Sequence, residues 1–217
     1  MERIIKIVLP ALPETLLMVL VASAFGILLG LPLAVLLYTS QKNGLRENQK
    51  LYRFLDGLIN IFRSLPFIVL IFILTPITIL IAKKRIGLGA AMVPLTFSAI
   101  PFLARLIEGN LNDVDPGIIE AAQAMGADNK TIEKVVLREA LSPIIASVTM
   151  TIIALIGQSA IVGTIGGGGL GDVALRYGYQ RNETDILWAA CILIILIVQI
   201  VQLLGNYLTK KLDKKNK

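Results

Sequence analysis

Long charge-free apolar runs alternate along this chain with short polar interruptions, and the lengths of the runs decide the elements. About 20 apolar residues rising 1.5 Å each are needed to cross roughly 30 Å of hydrocarbon. Five stretches meet that requirement, at about 15–41, 55–82, 86–109, 141–164 and 185–209. The pattern predicts an all-α integral membrane protein, one domain over 1–217 with five transmembrane helices. Pro32, Pro66, Pro76, Pro94 and Pro101 fall inside or at the ends of these runs, where spanning helices tolerate them as kinks if neighbours satisfy the freed carbonyls. The first run exceeds the 7–15 residues of a signal-peptide core and has no basic segment directly before it, so it reads as a retained span. Between the first two runs, Leu51, Phe54, Leu55, Leu58, Ile59 and Phe62 recur at spacings of three and four. They predict an amphipathic helix leading into the second span, with Asp56 on its wetter face. Arg63 stands where the charge-free part begins and reads either as a snorkelling side chain at the membrane boundary or as a functional charge. Arg105 and Glu108, three apart, are expected to pair on one helix face.

The longest polar interruption, about 113–140, has a pattern of its own. Ile118, Ile119, Ala121, Ala122 and Met125 recur at helical spacing, and Gly126 then ends the helix as a C-terminal glycine does. A second short helix follows, in which Ile132, Val135 and Val136 share a face while Glu133, Lys134 and Arg138 stay wet. Such an amphipathic pair suits the groove of a soluble partner. Glu120, Ala121 and Ala122, followed by Gly126 and an apolar cluster at Val135, Val136 and Leu137, resemble the EAA loop of binding-protein-dependent ABC importer permeases. The resemblance implies a cytoplasmic loop that docks on an ATPase subunit, carried by Glu120, Ala121, Ala122, Met125, Gly126, Ala127, Val135 and Leu137. The second half departs from the family pattern: Leu137 is followed by Arg138, and the nearest proline is Pro143.

Composition narrows the chemistry. With 55% hydrophobic and 17% charged residues, the chain has more apolar surface than one soluble core of 217 residues can hide. It contains no histidine, and Cys191 is its single cysteine, which leaves no disulfide framework, CxxC site or Ser-His triad. The net charge of +6 divides unevenly among the loops. Lys42, Arg46, Lys50, Arg53, Lys130, Lys134 and Arg138, with the basic tail at Lys210, Lys211, Lys214, Lys215 and Lys217, outweigh the charges of the opposite loops. This predicts an outside N-terminus and a cytoplasmic C-terminus. Lys83, Lys84 and Arg85 oppose the bias locally. The positive charge therefore reads as topology and attraction to anionic membrane lipid, with no nucleic-acid partner.

The fourth run ends in GTIGGGGLGD at 163–172. No Lys-Ser or Lys-Thr follows the glycines and no soluble strand precedes them, so a phosphate loop is excluded. They serve either close packing or a gate that changes shape. Gln158, Ser159, Gly163, Gly166, Gly167, Gly168, Gly169 and Gly171 are the candidate gate and pathway residues. The stretch DVALRYGYQR at 172–181, with NIFRSLPF at 60–67, VPLT at 93–96 and Pro101-Phe102, is similar to the methionine-importer branch of the permease family, and the likeness covers nearly the whole chain. It implies helices around a pathway shared with a second copy of the chain, two ATP-binding cassette ATPase subunits below and an extracytoplasmic substrate-binding lipoprotein above. The chain would then be no enzyme and bind no cofactor, ATP-Mg being used by the partner ATPase. It would import methionine, in both L and D forms, through the cytoplasmic membrane of a prokaryote. A permease for another small amino acid or an osmoprotectant is the alternative. A self-contained secondary transporter or channel fits less well, because the midspan stretches hold no paired charges and the five spans do not divide into equal repeats.

Overall fold

The computed structural model describes residues 2–213, and among these it is helical without strands. Lys214, Lys215 and Lys217 of the basic tail lie outside the described residues. In chain order the helices are α1 (Glu2–Val8), α2 (Ala11–Ser40), α3 (Gln49–Ser64), α4 (Phe67–Ile73), α5 (Thr75–Ala82), α6 (Leu88–Asn112), α7 (Pro116–Ala124), α8 (Asn129–Glu139), α9 (Leu141–Val162), α10 (Gly169–Val173) and α11 (Thr184–Leu212). Looser π-type turns over Gly163–Gly167 and Ala174–Tyr179 flank α10.

Among the described residues, four segments are long and apolar enough to cross a membrane by themselves: Glu2–Ser40, Leu88–Asn112, Leu141–Gly167 and Thr184–Leu212. The region expected as a second span over 55–82, with kinks at its prolines, is broken into α3, α4 and α5. Between Gln49–Ser64 and Phe67–Ile73 the axis turns by 109°, and the pair makes a fifth span only if the two are taken together. Pro66 is the cause. It brings no N–H to the ladder, and its ring forces the preceding Leu65 out of the helical region, to φ −80°, ψ 129°. Pro76 sits in the first turn of α5, where its missing donor is harmless.

Three buried clusters run the length of the bundle. At one end Val8, Ala11, Leu170, Val173, Ile186 and Ala190 join α1, α2, α10 and α11. In the middle Met18, Ala22, Leu95, Ala99, Leu155 and Ile156 join α2, α6 and α9. At the other end Leu37, Tyr38, Ile59, Leu103, Ile107 and Leu111 join α2, α3 and α6 to α7 and α8. The α2–α6 contact is the most extensive between any two helices. A Cβ on Gly26 would stand 2.9 Å from that of Ala99, and one on Gly30 would stand 3.1 Å from the Ile100 carbonyl oxygen. Outward-facing Leu20, Leu28, Ile195 and Leu203 are exposed, as side chains that meet lipid tails are.

A polar network ties α3 to α6. The Arg105 guanidinium pairs with Asp56 and, at 2.7 Å, with Glu108, and donates at 3.2 Å to Asn60 Oδ1. Tyr52 Oη donates to Glu108 Oε1 at 3.2 Å. The expected Arg105–Glu108 pair is present, but Asp56 is half-buried in the contact and does not lie on a wet face. Glu108 is 2% exposed, so its charge depends on these partners. Arg105→Met should lower stability by about 3–5 kcal/mol, the cost of an uncompensated buried carboxylate, with Arg105→Lys losing less. Thermal unfolding in detergent measures both, and an unchanged melting temperature for Arg105→Met would contradict the assignment.

Candidate functional site

The polar interruption folds into two helices with well-formed ends. Asp115 caps α7, its carboxylate accepting from Gly117 N at 2.8 Å, and Pro116 occupies the first helical position. At the other end Gly126 has φ +78°, Gly126 N donates to Gln123 O at 2.9 Å and Ala127 N to Ala122 O at 3.0 Å. That pair of bonds is the Schellman closure, which needs a left-handed residue at the position after the cap. Asp128 then caps α8, accepting from Thr131 N at 3.0 Å. The Thr131 hydroxyl bonded to it, and then the Thr131 amide, hold the Asp128 carboxyl below the usual carboxylate range. Its folded value being depressed, the cap is present through neutral pH and is lost only as pH falls below that range.

The apolar face of α8 is covered by the chain itself. Ile132 and Val136 are each 1% exposed and Ala122 is 5% exposed, all within the cluster that holds Leu37, Tyr38 and Ile107. Asn129 Nδ2 donates to Leu45 O at 2.8 Å and Arg46 pairs with Glu133 at 3.0 Å, pinning α8 to the turn after α2. The expectation that Ile132, Val135 and Val136 present a face to a partner's groove is thus corrected for Ile132 and Val136. Val135, Leu137 and Ala127 are half-buried. What stays open is the face of α7 and its end: Glu120, Ala121, Ala124 and Gly126 are exposed, and Met125 is 82% exposed. A large apolar side chain standing free at the tip of a fixed helix pair is a knob for a hydrophobic pocket.

At the opposite end the glycine stretch is closely packed against α2. Glu14 Oε2 accepts from Gly169 N at 2.7 Å, and Thr15 Oγ1 accepts from Leu170 N at 2.8 Å. Gly169 has φ +79°, and a Cβ there would stand 2.6 Å from Thr15 Oγ1. Gly163 and Gly171 fold the turn back on α9, with the Cβ position of Gly171 only 2.4 Å from Ala160 Cα. Gly167 is buried and Gly168 half-buried beside Glu14, whereas Gly166 is exposed and accepts at its carbonyl from Gly87 N at 3.0 Å. An open cleft of about 590 Å³ lies against this turn, lined by Glu14, Thr164, Gly166, Gly168, Asp172 and Arg176 among others. Ser159 is 2% exposed and donates to Ile156 O at 2.7 Å. Gln158 stands apart from the glycines, in a cavity between α6 and α9. The candidate pathway residues therefore divide between the turn and the bundle interior. Of the residues that line that cavity beside Gln158, Arg63 was read as either a snorkelling or a functional charge, whereas Phe62 and Phe102 were not site candidates although they fall in noted stretches.

Residues 26–215 match the family described as the binding-protein-dependent transport system inner membrane component. The chain belongs to this family. As a permease of that family it is 49% identical over 210 residues, 96% of its length and 93% of the relative's, to the probable D-methionine transport system permease protein MetI of Vibrio cholerae. It is 41% identical over 181 residues, 83% of its length and 82% of the relative's, to the methionine import system permease protein MetP of Bacillus subtilis. Its fold matches a solved inward-facing structure of the MetNI methionine ABC transporter at a TM-score of 0.95 and 39% identity, covering 99% of this chain and 100% of that one.

Two glycines with left-handed backbone separate cap from packing. Gly126→Ala meets open space and should cost roughly 1–2 kcal/mol, the left-handed penalty alone, whereas Gly169→Ala adds a collision with Thr15 and should cost more. Thermal unfolding of the two variants tests this, and equal shifts would contradict it.

Proposed function

We propose that this permease carries methionine, in L and D forms, into the cytoplasm, driven by a separate ATPase. The observation that carries the reading is its likeness along nearly the whole chain to the methionine permeases of Vibrio cholerae and Bacillus subtilis and to MetNI. The chain itself binds no cofactor in this reading. Two ATP-binding cassette subunits use ATP-Mg and dock on the α7 face at Glu120, Ala121, Ala124 and Met125, and a substrate-binding lipoprotein delivers solute at the glycine-turn end. The coupling helices are then cytoplasmic. That α1 packs with α10 and α11, away from α7 and α8, supports an outside N-terminus, and α11 then ends inside.

The active unit is two copies. Supporting this is a stripe on α9 continued into the turn after it, where Met150, Gly157 and Ile161, and then Thr164, are exposed at spacings of seven, four and three. No atom comes within 4 Å of a Cβ built on Gly157, so a second helix can approach there closely. Ala160 and Gly163 do not serve this seam, because both pack on the chain's own glycine turn.

Alternating access follows from differential binding. ATP binding favours the closed ATPase dimer, the docked helices move with it, and the bundles rock from inward-open to outward-open. The test is uptake by proteoliposomes holding this chain, its ATPase and its binding protein. Methionine should accumulate only with ATP, and Glu120→Lys, which reverses charge on the docking face without touching a span, should abolish most uptake while leaving the permease inserted. Strong uptake of a cationic amino acid or a quaternary amine without methionine uptake would contradict the reading.

A further inference from the structure

The break between α3 and α4 opens a cavity of about 210 Å³ against α6 and α9, lined by Phe62, Arg63, Phe67, Ser98, Phe102 and Gln158. It is smaller than the roughly 300–1,000 Å³ of sites for drug-sized molecules and suits one amino acid. Its depth is fixed by α6. The Phe62 ring stacks on Phe97 with centroids 6.4 Å apart, and Phe97 to Phe102 lie midway along Leu88–Asn112. Arg63 is therefore level with the middle of a spanning helix and does not sit at a membrane boundary. A charge there is costly unless it serves a pathway or a partner, and Arg63 makes no ion pair among the described residues. Opposite it, Gln158 Oε1 is buried and accepts no hydrogen bond. An orphaned buried acceptor costs about 1–3 kcal/mol, and Arg63, exposed in the single chain, brings an unpaired cation to the same cavity.

We propose that this cavity is a transit site for a zwitterionic amino acid with an apolar side chain. The solute carboxylate lies on the Arg63 guanidinium, its ammonium donates to Gln158 Oε1, and its side chain lies among Phe62, Phe67 and Phe102. One cation, one acceptor and three phenyl rings match those three parts in number and kind. The lining has no carboxylate for a cationic side chain, and it has few hydroxyls for a sugar. The inference rests on the reading of this chain as the solute-carrying subunit of an amino-acid importer. It adds a fixed countercharge to the pathway midway along the bundle. A bound zwitterion neutralises Arg63 and satisfies Gln158 at once, so the site is occupied only by a solute offering both groups.

Photolabelling of the reconstituted complex with photo-methionine, a diazirine analogue, tests it. In the wild type the label should fall on peptides holding residues 62–67 and 98–102, and excess methionine should suppress it. Gln158→Leu removes the orphaned acceptor at similar volume, so the protein should fold at least as stably while labelling and methionine uptake fall about tenfold or more. Arg63→Met should lose labelling likewise. Methionine uptake by the wild type with labelling elsewhere, or with labelling unchanged in Gln158→Leu, overturns the transit site and leaves the importer reading standing. No methionine uptake by the wild type overturns the importer reading itself.

Discussion

In hydrocarbon a leucine gains little by leaving lipid for another leucine, so helices that must stay together need closer contact than side chains alone allow. The α2–α6 pair supplies it. At Gly26 and Gly30 the two backbones approach until a single methyl group would collide with Ala99 or with the Ile100 carbonyl, and dispersion contacts between backbones take the place of a hydrophobic driving force. Both helices then run on to the end that carries α7 and α8, where Gln41 Nε2 donates to Asn112 Oδ1 at 2.7 Å. The pair is a strut between the glycine turn, held by Glu14 and Thr15 of α2, and α7 and α8, which follow α6.

Elements that lie outside this strut are attached by polar contacts as well as by apolar packing. The amphipathic α3 is tied through Arg105, Asp56, Asn60 and Glu108, and α9 through Asn110 Nδ2, which donates to Ser147 Oγ at 2.7 Å. The last helix meets α9 at Gly205, which abuts Thr149, and at Ser142, whose hydroxyl donates to Thr209 O at 3.1 Å. Such bonds are directional, and they set which face of an otherwise apolar helix turns inward. They also exchange partners at less cost than close backbone packing does, as helices that slide or rock require.

The long helices and the Gly126 cap were legible in the sequence, because run length and the glycine after an amphipathic stretch each act locally. Periodicity also identified the apolar face of α8 and the wet one at Lys134 and Arg138, though not that Glu133 is half-buried against Arg46. It could not say what covers the apolar one: Ile132 and Val136 are spaced alike whether a partner or the chain's own Tyr38 and Ile107 lies over them. The span expected over 55–82 with kinks at its prolines is broken at Pro66 by a bend of 109°, a size that the tertiary context sets and that the presence of a proline alone does not. Asp56 was placed on the wetter face by periodicity, which does not see the Arg105 partner that half-buries it. Of the two readings of Arg63, its place beside Phe102 and Gln158, level with the middle of α6, speaks against the membrane boundary. The glycines at 163–171 read equally as packing or as a gate, and what the geometry contains is close packing against Glu14, Thr15 and Ala160.

The account turns on which face of the coupling helices is free to meet the ATPase. Cysteine-directed crosslinking in the assembled complex separates the faces: Met125→Cys on the open tip and Ile132→Cys on the covered side, each combined with a bifunctional thiol reagent. The account predicts ATP-sensitive crosslinks to the ATPase from position 125 and none from position 132. Crosslinking from position 132 with none from position 125 would contradict it.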